Sequence, residues 1–338
     1  MRASIEHILL PLSLFGAVEA AACTSTKATN NTGASACTGV RPRVPWTSLT
    51  EDEKNAYIAA DLCLINMPSK SKFEGAVTRW DDLQWPHVAQ SSAVHFTGAF
   101  LPFHRYYMTA HERMIKDECG YTGRMPYWDE LADIDDISSS DLWNYFGGNG
   151  SGDDHCFTDG PFANLTLRWL TNGSTSDHCL TREFNQTAFE GTKQSNIDKC
   201  LAISNYTDAW ECYNGGTHTG GHLGVNGTMT DGTLSPGDPV FFLHHSWLDL
   251  LFWNWQKEDL PARYYDMGGP DQPTFVANTE QRGLESIWTD YFGDGGNTTT
   301  LNHRLNMVDL YPNITIGDVM DLNGDVICSE YLSAEEAG

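Results

Sequence analysis

Three histidines in the stretch 218–249 have the residue types and spacing of metal ligands. His218 and His222 are four residues apart, so on a helix they share one face. His245 stands early in an apolar run that predicts a second helix. Asp249 follows one turn later, where we expect its carboxylate to orient a liganding imidazole. Three converging imidazoles form half of a two-metal site.

A second set of three histidines, His87, His95 and His104, supplies the other half. Pro102 predicts the start of a helix over about residues 103–118, with His104 in its first turn. Imidazole suits copper, zinc, iron and nickel, and neither set includes a cysteine or a carboxylate. The ligand type therefore leaves the metal open.

Two further histidines are not expected to bind metal. His244 directly precedes His245, and adjacent residues on a helix point in different directions. We therefore expect His244 beside the centre, supporting it or lining its pocket. His111 lies two turns beyond His104, about 10 Å along the helix axis, which predicts a core or supporting role.

The residues around these histidines resemble the tyrosinase and catechol oxidase family, whose members carry a coupled pair of copper ions. Together the matching blocks extend over most of residues 41–332. The blocks are His95…Phe-Leu-Pro-Phe-His104-Arg, Ser235-Pro-Gly-Asp-Pro…His244-His245-x-x-x-Asp249, Arg41-Pro-Arg43…Trp46-Thr-Ser-Leu-Thr, Cys119-Gly-Tyr-Thr-Gly-Arg-Met-Pro-Tyr-Trp128-Asp129 and Ile316-Gly-Asp318-Val-Met-Asp321.

The resemblance implies a mainly α fold. Its core is a four-helix bundle that holds a binuclear copper site, with long irregular loops and a few short strands. It also implies oxidation of o-diphenols, and of o-aminophenols, with O2 reduced to water. Motif matching gives three imidazoles to each copper: His87, His95 and His104 to the first, and His218, His222 and His245 to the second.

The residues around the second triplet bear on substrate choice. Relatives that hydroxylate monophenols often have Asn after the first ligand of the second copper, with an acid about nine residues earlier. This chain has Thr219 and Ala209 there, and Glu211 is a nearby acid. Leu223 is apolar where a charged residue would favour activity on tyrosine. Gly232 falls near the position of the family's residue over the first copper, which would leave the entry to the site open. We expect weak or no hydroxylation of monophenols.

Other functions remain as alternatives. Full tyrosinase activity is one, and an oxygen-binding protein like hemocyanin, with the same copper pair and no turnover, is another. A purely structural metal site is a third. A zinc protease is excluded, because Thr219 stands where His-Glu-x-x-His requires the catalytic Glu.

The N-terminal residues 1–20 resemble a secretory signal peptide. A basic start, a short apolar run and the small residues Val18-Glu-Ala20 fit this reading. We expect the remainder, residues 21–338, to form a single copper domain without a C-terminal lid domain. The protein is then secreted and extracellular.

Glycosylation signals and cysteines agree with secretion. Nine cysteines should mostly pair in an oxidising compartment, and we expect Cys63 to be the unpaired one. The Asn-x-Ser/Thr sequons, which predict N-glycosylation, are at Asn30, Asn149, Asn164, Asn172, Asn185, Asn205, Asn226, Asn297 and Asn313.

The charge of the chain excludes several partners. With 45 acidic and 20 basic residues, the formal net charge is −25, which argues against binding to nucleic acid and against the membrane-surface role of a basic protein. We expect small phenolic substrates and O2 as partners, and a monomer or weak oligomer.

The elements that position the histidines are read from periodicity and capping signals. Residues 46–66 predict a helix capped by Thr47 or Ser48, and residues 87–95 a short bent segment. Residues 130–215 are predicted to form irregular loops between the two pairs of metal-bearing helices. The second pair of helices is predicted at residues 218–225 and 241–257, and short strands near residues 314–327.

Overall fold

The computed structural model describes residues 37, 39–273 and 291–338. The predicted signal peptide lies outside these residues, and the single domain over residues 21–338 stays a prediction. The described residues are mainly helical around a helical core, as expected. None of their helices combines the length and the apolar character needed to cross a membrane.

Four helices carry the six predicted ligands or directly adjoin them: α2, α3, α8 and α9. The α-helices of the described residues are α1 (Glu51–Asn66), α2 (Arg79–His95), α3 (Phe100–Cys119), α4 (Trp143–Phe146), α5 (Gln186–Phe189), α6 (Gln194–Leu201), α7 (Tyr206–Tyr213), α8 (Thr219–Val225), α9 (Val240–Lys257) and α10 (Ala334–Ala337).

The strands are short and lie outside the helical core elements. They are β1 (Arg41–Pro45), β2 (Met125–Tyr127), β3 (Thr166–Trp169), β4 (Thr175–Cys179), β5 (Arg304–Leu305), β6 (Ile314–Thr315) and β7 (Ser329–Tyr331). β1 is the middle strand of a parallel sheet with β2 and β7. β3 pairs antiparallel with β4, and β5 with β6.

The first helix begins later than its sequence signals suggested. The side chain of Thr50 accepts a hydrogen bond from the backbone N–H of Glu53, and the Glu53 carboxylate accepts one from the N–H of Thr50. Thr47 and Ser48 were the wrong caps, because they belong to a separate 3-10 turn, Trp46–Ser48. The helix itself is confirmed.

His87 and His95 lie on one continuous helix, so the predicted bent segment is wrong. A capping box of Thr78 and Asp81 starts α2. His95 is the last residue of α2, and its ring folds back along the helix, where Nδ1 donates to the carbonyl of Ser91 at 2.6 Å. The helix therefore brings its final imidazole back towards His87 without a bend in the chain.

The two long helices α3 and α9 pack against each other through apolar rings and a buried ion pair. The ring of Tyr107 contacts those of Phe241 and Phe242, with centroids 6.0 and 5.8 Å apart. Arg105 Nε donates to Asp249 Oδ1 at 2.6 Å, with both side chains buried. Full burial of such a ring stabilises the fold by about 1.5–3 kcal/mol. This packing holds the two halves of the histidine site together.

All eight cysteines among the described residues are paired. The prediction that Cys63 is unpaired is therefore wrong, because α1 packs beside α3 and places Cys63 against Cys119. Cys23 lies outside the described residues. The disulfides are Cys37–Cys328, Cys63–Cys119, Cys156–Cys179 and Cys200–Cys212.

Residues 130–215 are more ordered than their composition suggested. They contain four short helices and the β3–β4 hairpin, so the prediction of irregular loops is wrong for these parts. Asparagine side chains start two of the helices: Asn185 Oδ1 accepts from Ala188 N, and Asn205 Oδ1 accepts from Asp208 N. Polar residues that indicate a loop by composition also serve as helix caps.

Candidate metal centre

The first histidine cluster, formed by His87, His95 and His104, lies between α2 and α3. All three side chains are buried, and one ring nitrogen of each lies within 4.8 Å of those of the other two. The Nε2 atoms of His87 and His95 are 3.3 Å apart. The structure thus brings the first predicted triplet together.

Backbone carbonyls orient all three rings of the first cluster. An Nδ1–H group that donates to a carbonyl leaves the lone pair on Nε2, the atom turned towards the neighbouring rings. Each Nδ1 makes such a bond, at 2.6–3.0 Å: His87 to Thr233, His95 to Ser91, and His104 to Phe100.

The second cluster contains the predicted triplet and its neighbour. Nitrogen atoms of His218, His222, His244 and His245 all lie within 4.8 Å of one another, and all four residues are buried. The Nε2 atoms of His222 and His245 are 3.1 Å apart. His222 Nδ1 donates to the carbonyl of Met229 at 2.6 Å.

A π-helical turn precedes α8 and ends in His218. Such turns are rare and occur frequently at functional sites. The hydroxyl of Thr219 donates to the carbonyl of Asn214 at 2.7 Å, which ties the start of α8 to the start of the turn. His218 and His222 are therefore presented from one continuous helical segment, as the spacing predicted.

A buried ion pair fixes the start of α9, five residues before His245. Both oxygens of Asp238 accept hydrogen bonds from Arg182 at 2.7 Å. Oδ1 of Asp238 also accepts from the backbone N–H of Val240 at 3.0 Å. Bidentate pairs of this kind are geometrically specific, so the pair sets where α9 begins and hence where His245 lies.

The two clusters meet face to face. The rings of His104 and His245 stack, with centroids 4.3 Å apart and an interplanar angle of 14°. His95 and His218 stack less closely, with centroids 6.0 Å apart. The clusters therefore form one centre with six predicted ligands.

Burial keeps the imidazoles neutral, which is the form that binds metal. It lowers the pKa of five rings well below the ordinary value of 6.5, and neighbouring histidines lower it further: His87, His104, His218, His222 and His245.

Several buried nitrogens of the centre lack a hydrogen-bond partner among the residues that the structure describes. They are His104 Nε2, both nitrogens of His218, and His245 Nδ1. An unpaired buried polar atom is costly, and a metal ion bound by the imidazole lone pairs removes that cost for the nitrogens that ligate it. The donor set therefore fits a pair of metal ions.

His244 is held by a buried acid that sequence analysis missed. His244 Nδ1 and Glu130 Oε1 are 2.5 Å apart, and both side chains are fully buried. Burial, together with the nearby charges of Asp129 and Asp133, raises the pKa of Glu130 well above its ordinary value. Burial lowers the pKa of His244 to about 3. Both shifts favour the neutral forms of these two groups, which one short hydrogen bond joins.

His244 and Glu130 pack closely against α8 at Gly221. A Cβ at Gly221 would lie 2.4 Å from the His244 ring and 2.9 Å from Glu130 Oε1, so glycine is required there. The rings of His218 and His244 stack with centroids 5.7 Å apart. Glu130 carried no sequence signal, because it stands within the acidic run 129–136.

Asp249 does not orient an imidazole, contrary to the prediction. Its Oδ1 accepts from Arg105 at 2.6 Å, and its Oδ2 accepts from Arg43 at 2.9 Å and from the hydroxyl of Tyr331 at 2.8 Å. One helical turn beyond His245, the carboxylate points into the charged core between α3 and β1. It supports α9 rather than the ring itself.

A cavity of about 370 Å³ opens over the centre, and we call it the mouth. Its lining includes His95, His218, His222, Phe96, Thr219 and Leu223. Gly232 also lines the mouth, and a Cβ there would meet no atom within 4 Å. The described residues that line the mouth include no carboxylate.

The predicted pocket residues are thus partly brought together. Thr219, Leu223 and Gly232 line the mouth, whereas Glu211 lines a neighbouring cavity. Sequence analysis missed Phe96, whose ring is 48% exposed at the mouth. Its position directly after the His95 ligand candidate is a signal that could have found it.

A helical core that holds two adjoining, buried histidine clusters defines a binuclear metal protein. The profile of the common central domain of tyrosinase matches residues 77–258. The tyrosinase-like protein phomQ1 of Diaporthe leptostromiformis is 32% identical, and the match covers 87% of this chain and 78% of phomQ1. The chain therefore belongs to the tyrosinase family of binuclear copper proteins.

Further relatives differ in the substrates that their names state. N-acetyl-6-hydroxytryptophan oxidase ivoB of Emericella nidulans is 26% identical over 96% of this chain and all of its own length. Among solved structures, a variant of the polyphenol oxidase from Thermothelomyces thermophila superposes with a TM-score of 0.73 at 25% identity. That match covers 88% of this chain and 90% of the other. The family and the fold are thereby established.

Proposed function

We propose that this chain oxidises o-diphenols to o-quinones, with o-aminophenols as a further substrate class. Two o-diphenols each lose two electrons and two protons, and one O2 takes up all four of each to form two molecules of water. The observation that carries this proposal is the pair of stacked, buried histidine clusters beneath an open mouth. Membership of the tyrosinase family supports it.

The copper ligands proposed are the six histidines of the sequence analysis: His87, His95, His104, His218, His222 and His245. The copper pair supplies the electron transfer between phenol and O2. The imidazoles contribute neutral donors, because burial disfavours their charged form. Neutral ligands suit both oxidation states of copper.

The proposed role of the mouth is to bind the aromatic ring and turn its hydroxyls towards the centre. Phe96 and Leu223 are large apolar side chains that are 48% and 42% exposed there. Exposed apolar groups that line a cavity commonly mark a ligand site. An aromatic ring between them buries apolar surface while its hydroxyls reach the histidine side of the cavity.

Monophenols are proposed to be poor substrates, because their deprotonation needs a base at the mouth. The described lining of the mouth has no carboxylate, and the hydroxyl of Thr219 is engaged with the Asn214 carbonyl. Glu211 lies in the neighbouring cavity. An o-diphenol is more acidic and already carries both oxygens, so it has less need of this help.

Oxygen uptake by the copper-loaded chain tests the proposal. Catechol, o-aminophenol and a matched monophenol are compared in parallel. We expect uptake with the first two and little with the third. Prompt uptake with the monophenol would make full tyrosinase activity the better description. No uptake with any of them, despite two bound coppers, would favour an oxygen-binding protein.

Secretion and N-glycosylation are proposed as the setting of this activity. Four disulfides among the described residues support an oxidising compartment. Several sequon asparagines, including Asn172, Asn185 and Asn205, are exposed. Peptide mass spectrometry of the protein from culture medium, before and after removal of N-glycans, tests both points. An intact N-terminus without glycans would contradict them.

A further inference from the structure

A groove of about 580 Å³ lies between the tip of the β3–β4 hairpin and the start of α2 with its preceding loop. We call it the hairpin groove. It shares no lining residue with the mouth, and none of the six proposed copper ligands lines it. The lining residues are Glu74, Gly75, Trp85, Asn172, Gly173, Ser174 and Thr175.

Trp85 of α2 forms a half-buried aromatic wall of the hairpin groove. The buried ring of Trp169 packs against it, with centroids 4.4 Å apart and an interplanar angle of 37°. Trp169 is itself held by a hydrogen bond from its Nε1 to the carbonyl of Asp81 at 3.0 Å. The wall is therefore fixed in place, and its exposed part is open to a ligand.

The loop and the hairpin are in close contact at Gly75. A Cβ at Gly75 would lie 2.6 Å from Thr175 Cγ2, and φ is +98°, so glycine is required there. Arg168 of β3 donates from Nε to the carbonyl of Gly75 at 3.2 Å. The exposed carboxylate of Glu74 stands next to this contact. The groove thus combines an apolar wall with an acidic group.

The hairpin groove carries a glycosylation signal in its own lining. Asn172, Gly173 and Ser174 form a sequon, and Asn172 is exposed. Asn172 Oδ1 accepts hydrogen bonds from the backbone N–H of Ser174 at 3.0 Å and from its hydroxyl at 2.7 Å. Both bonds use the oxygen. The amide nitrogen, which is the atom that carries a glycan, is therefore left for the sugar.

Gly173 places the attachment point beside the aromatic wall. A Cβ at Gly173 would lie 3.7 Å from Cη2 of Trp85, which is ordinary contact. Adjacent Cα atoms are about 3.8 Å apart, so Asn172 is one short step along the chain from this contact. The first sugar of a glycan on Asn172 is within reach of the ring of Trp85.

We propose that the hairpin groove is the binding site of the N-glycan on Asn172, whose N-acetylglucosamine core packs on Trp85. The apolar C–H face of the sugar covers the aromatic ring, and Glu74 accepts hydrogen bonds from its hydroxyl or amide groups. The inference rests on the proposed N-glycosylation and deepens it by giving one glycan a site. Trp85 lies two residues before His87, so this glycan joins the hairpin to a helix of the copper centre.

Charge and attachment favour this occupant over a free ligand. An anionic ligand would meet Glu74 in a protein of formal net charge −25, whereas the core of an N-glycan is neutral. A free saccharide loses translational and rotational freedom when it binds. A sugar attached to Asn172 is already held at the groove, so a weak contact with one aromatic ring is enough to keep it there.

Enzymatic deglycosylation of the folded, copper-loaded protein from culture medium tests the proposal. Peptide mass spectrometry follows the release of glycans by peptide:N-glycosidase at each sequon. Dividing each rate by that of the denatured protein removes the sequence preference of the enzyme. We expect release at Asn172 to be about three- to ten-fold slower, on this scale, than at exposed sequons such as Asn185 and Asn205, which is the range that one aromatic contact supplies.

Two substitutions assign the protection to the aromatic wall. Trp85→Leu should raise release at Asn172 to the rate of the other sequons. Tyr265→Leu is the matched control, because this exposed aromatic residue does not line the hairpin groove. Equal release at all sequons of the unsubstituted protein, or slow release that persists in Trp85→Leu, would overturn the proposal. The first comparison needs no variant, so it holds even if Trp85→Leu folds poorly.

The two proposals fail in different ways. Absence of glycans at every sequon would reject N-glycosylation, and the glycan site with it. Glycans at other sequons with Asn172 unoccupied would retain N-glycosylation and reject the site. If that protein bound free N,N′-diacetylchitobiose in calorimetry, and Trp85→Leu abolished the binding, the hairpin groove would belong to a free saccharide instead of the glycan.

Discussion

The two histidine clusters hold their rings in different ways. In the first, the Nδ1 atom of every ring donates to a backbone carbonyl, and two of these carbonyls lie one turn earlier on the same helix. In the second, His222 makes such a bond. The nitrogens of His218 and Nδ1 of His245 have no hydrogen-bond partner among the described residues.

The second cluster is instead supported from behind by groups that are distant in sequence. Glu130 holds His244 against His218, and Asp249 anchors α9 to arginines of β1 and α3. Backbone carbonyls orient every ring of the first cluster, two of them from one turn earlier on the same helix, whereas buried polar groups distant in sequence support the second cluster from behind. Substitutions far from the metals should therefore disturb the second copper before the first.

The largest effect is expected from removing a proposed ligand of the second cluster. His245→Ala should abolish turnover and lose about one copper of the pair, because the first cluster keeps its three oriented rings. Metal analysis and oxygen uptake measure both effects.

His111→Gln is the control for this substitution. His111 donates to Asp61 at 2.7 Å and belongs to neither cluster. Glutamine retains a donor, so copper content should stay at two per chain. Two coppers retained in His245→Ala would refute the ligand assignment.

Loss of the anchor behind the second cluster should be strongly destabilising. Asp249→Ala leaves Arg43 and Arg105 buried without their shared carboxylate, which costs about 3–5 kcal/mol of the free energy of unfolding. Chemical denaturation measures it.

A half-exposed pair provides the comparison for this anchor. Asp141, paired with Lys54, is 40% exposed at its side chain, so Asp141→Ala should cost about 1 kcal/mol or less. Similar costs for the two substitutions would show that Asp249 is not the anchor that the buried geometry indicates.

Acid should destabilise the metal-free protein. The native state keeps the buried imidazoles of both clusters neutral, with pKa values below 6.5, while the unfolded chain protonates them near that value. The unfolded state then binds more protons, so the free energy of unfolding falls as the pH drops below 6.5. The slope is up to ~1.4 kcal/mol per pH unit for each imidazole.

Urea denaturation of metal-free protein at about pH 7.5 and pH 5.5 checks this slope. Dialysis of the copper-loaded protein over the same range should release copper, because protons compete for the ligands. A free energy of unfolding that is unchanged or higher at the lower pH would contradict the neutral burial of these rings.

A smaller loss of stability is expected from a substitution at Gly221, where α8 packs against His244 and Glu130. Gly221→Ala forces the His244 ring or Glu130 to move, and overpacking of this kind costs about 1–3 kcal/mol. Copper should be lost from the second cluster first. Thermal unfolding and metal analysis report the two effects.

Gly216→Ala is the matched substitution on the same helical segment. Its Cβ meets open space, so a change of the opposite sign, a gain of about 0.5–1 kcal/mol, is expected from the lower entropy of the unfolded chain. If both substitutions destabilise equally, the packing argument for Gly221 fails.

The sequence by itself determined the six ligand candidates and the helices at three of the four ligand-bearing places, whereas α2 was predicted only as a short bent segment. Periodicity and i, i+4 spacing are local properties, so α3, α8 and α9 were predicted with small errors at their ends. The copper pair and the family followed from motifs around His104 and His245. Capping residues were less certain, since Thr50 competes with Thr47 and Ser48 within four positions.

The tertiary structure decided which distant groups meet. One partner of Asp249 is Arg43, 206 residues away, and the acid that holds His244 is Glu130, 114 residues away. Cys63 likewise pairs with Cys119 because α1 packs against α3. Such pairings depend on how helices pack, and a single sequence carries no local pattern that specifies them. The support behind the second cluster is built from such long-range contacts, so only the folded chain reveals it.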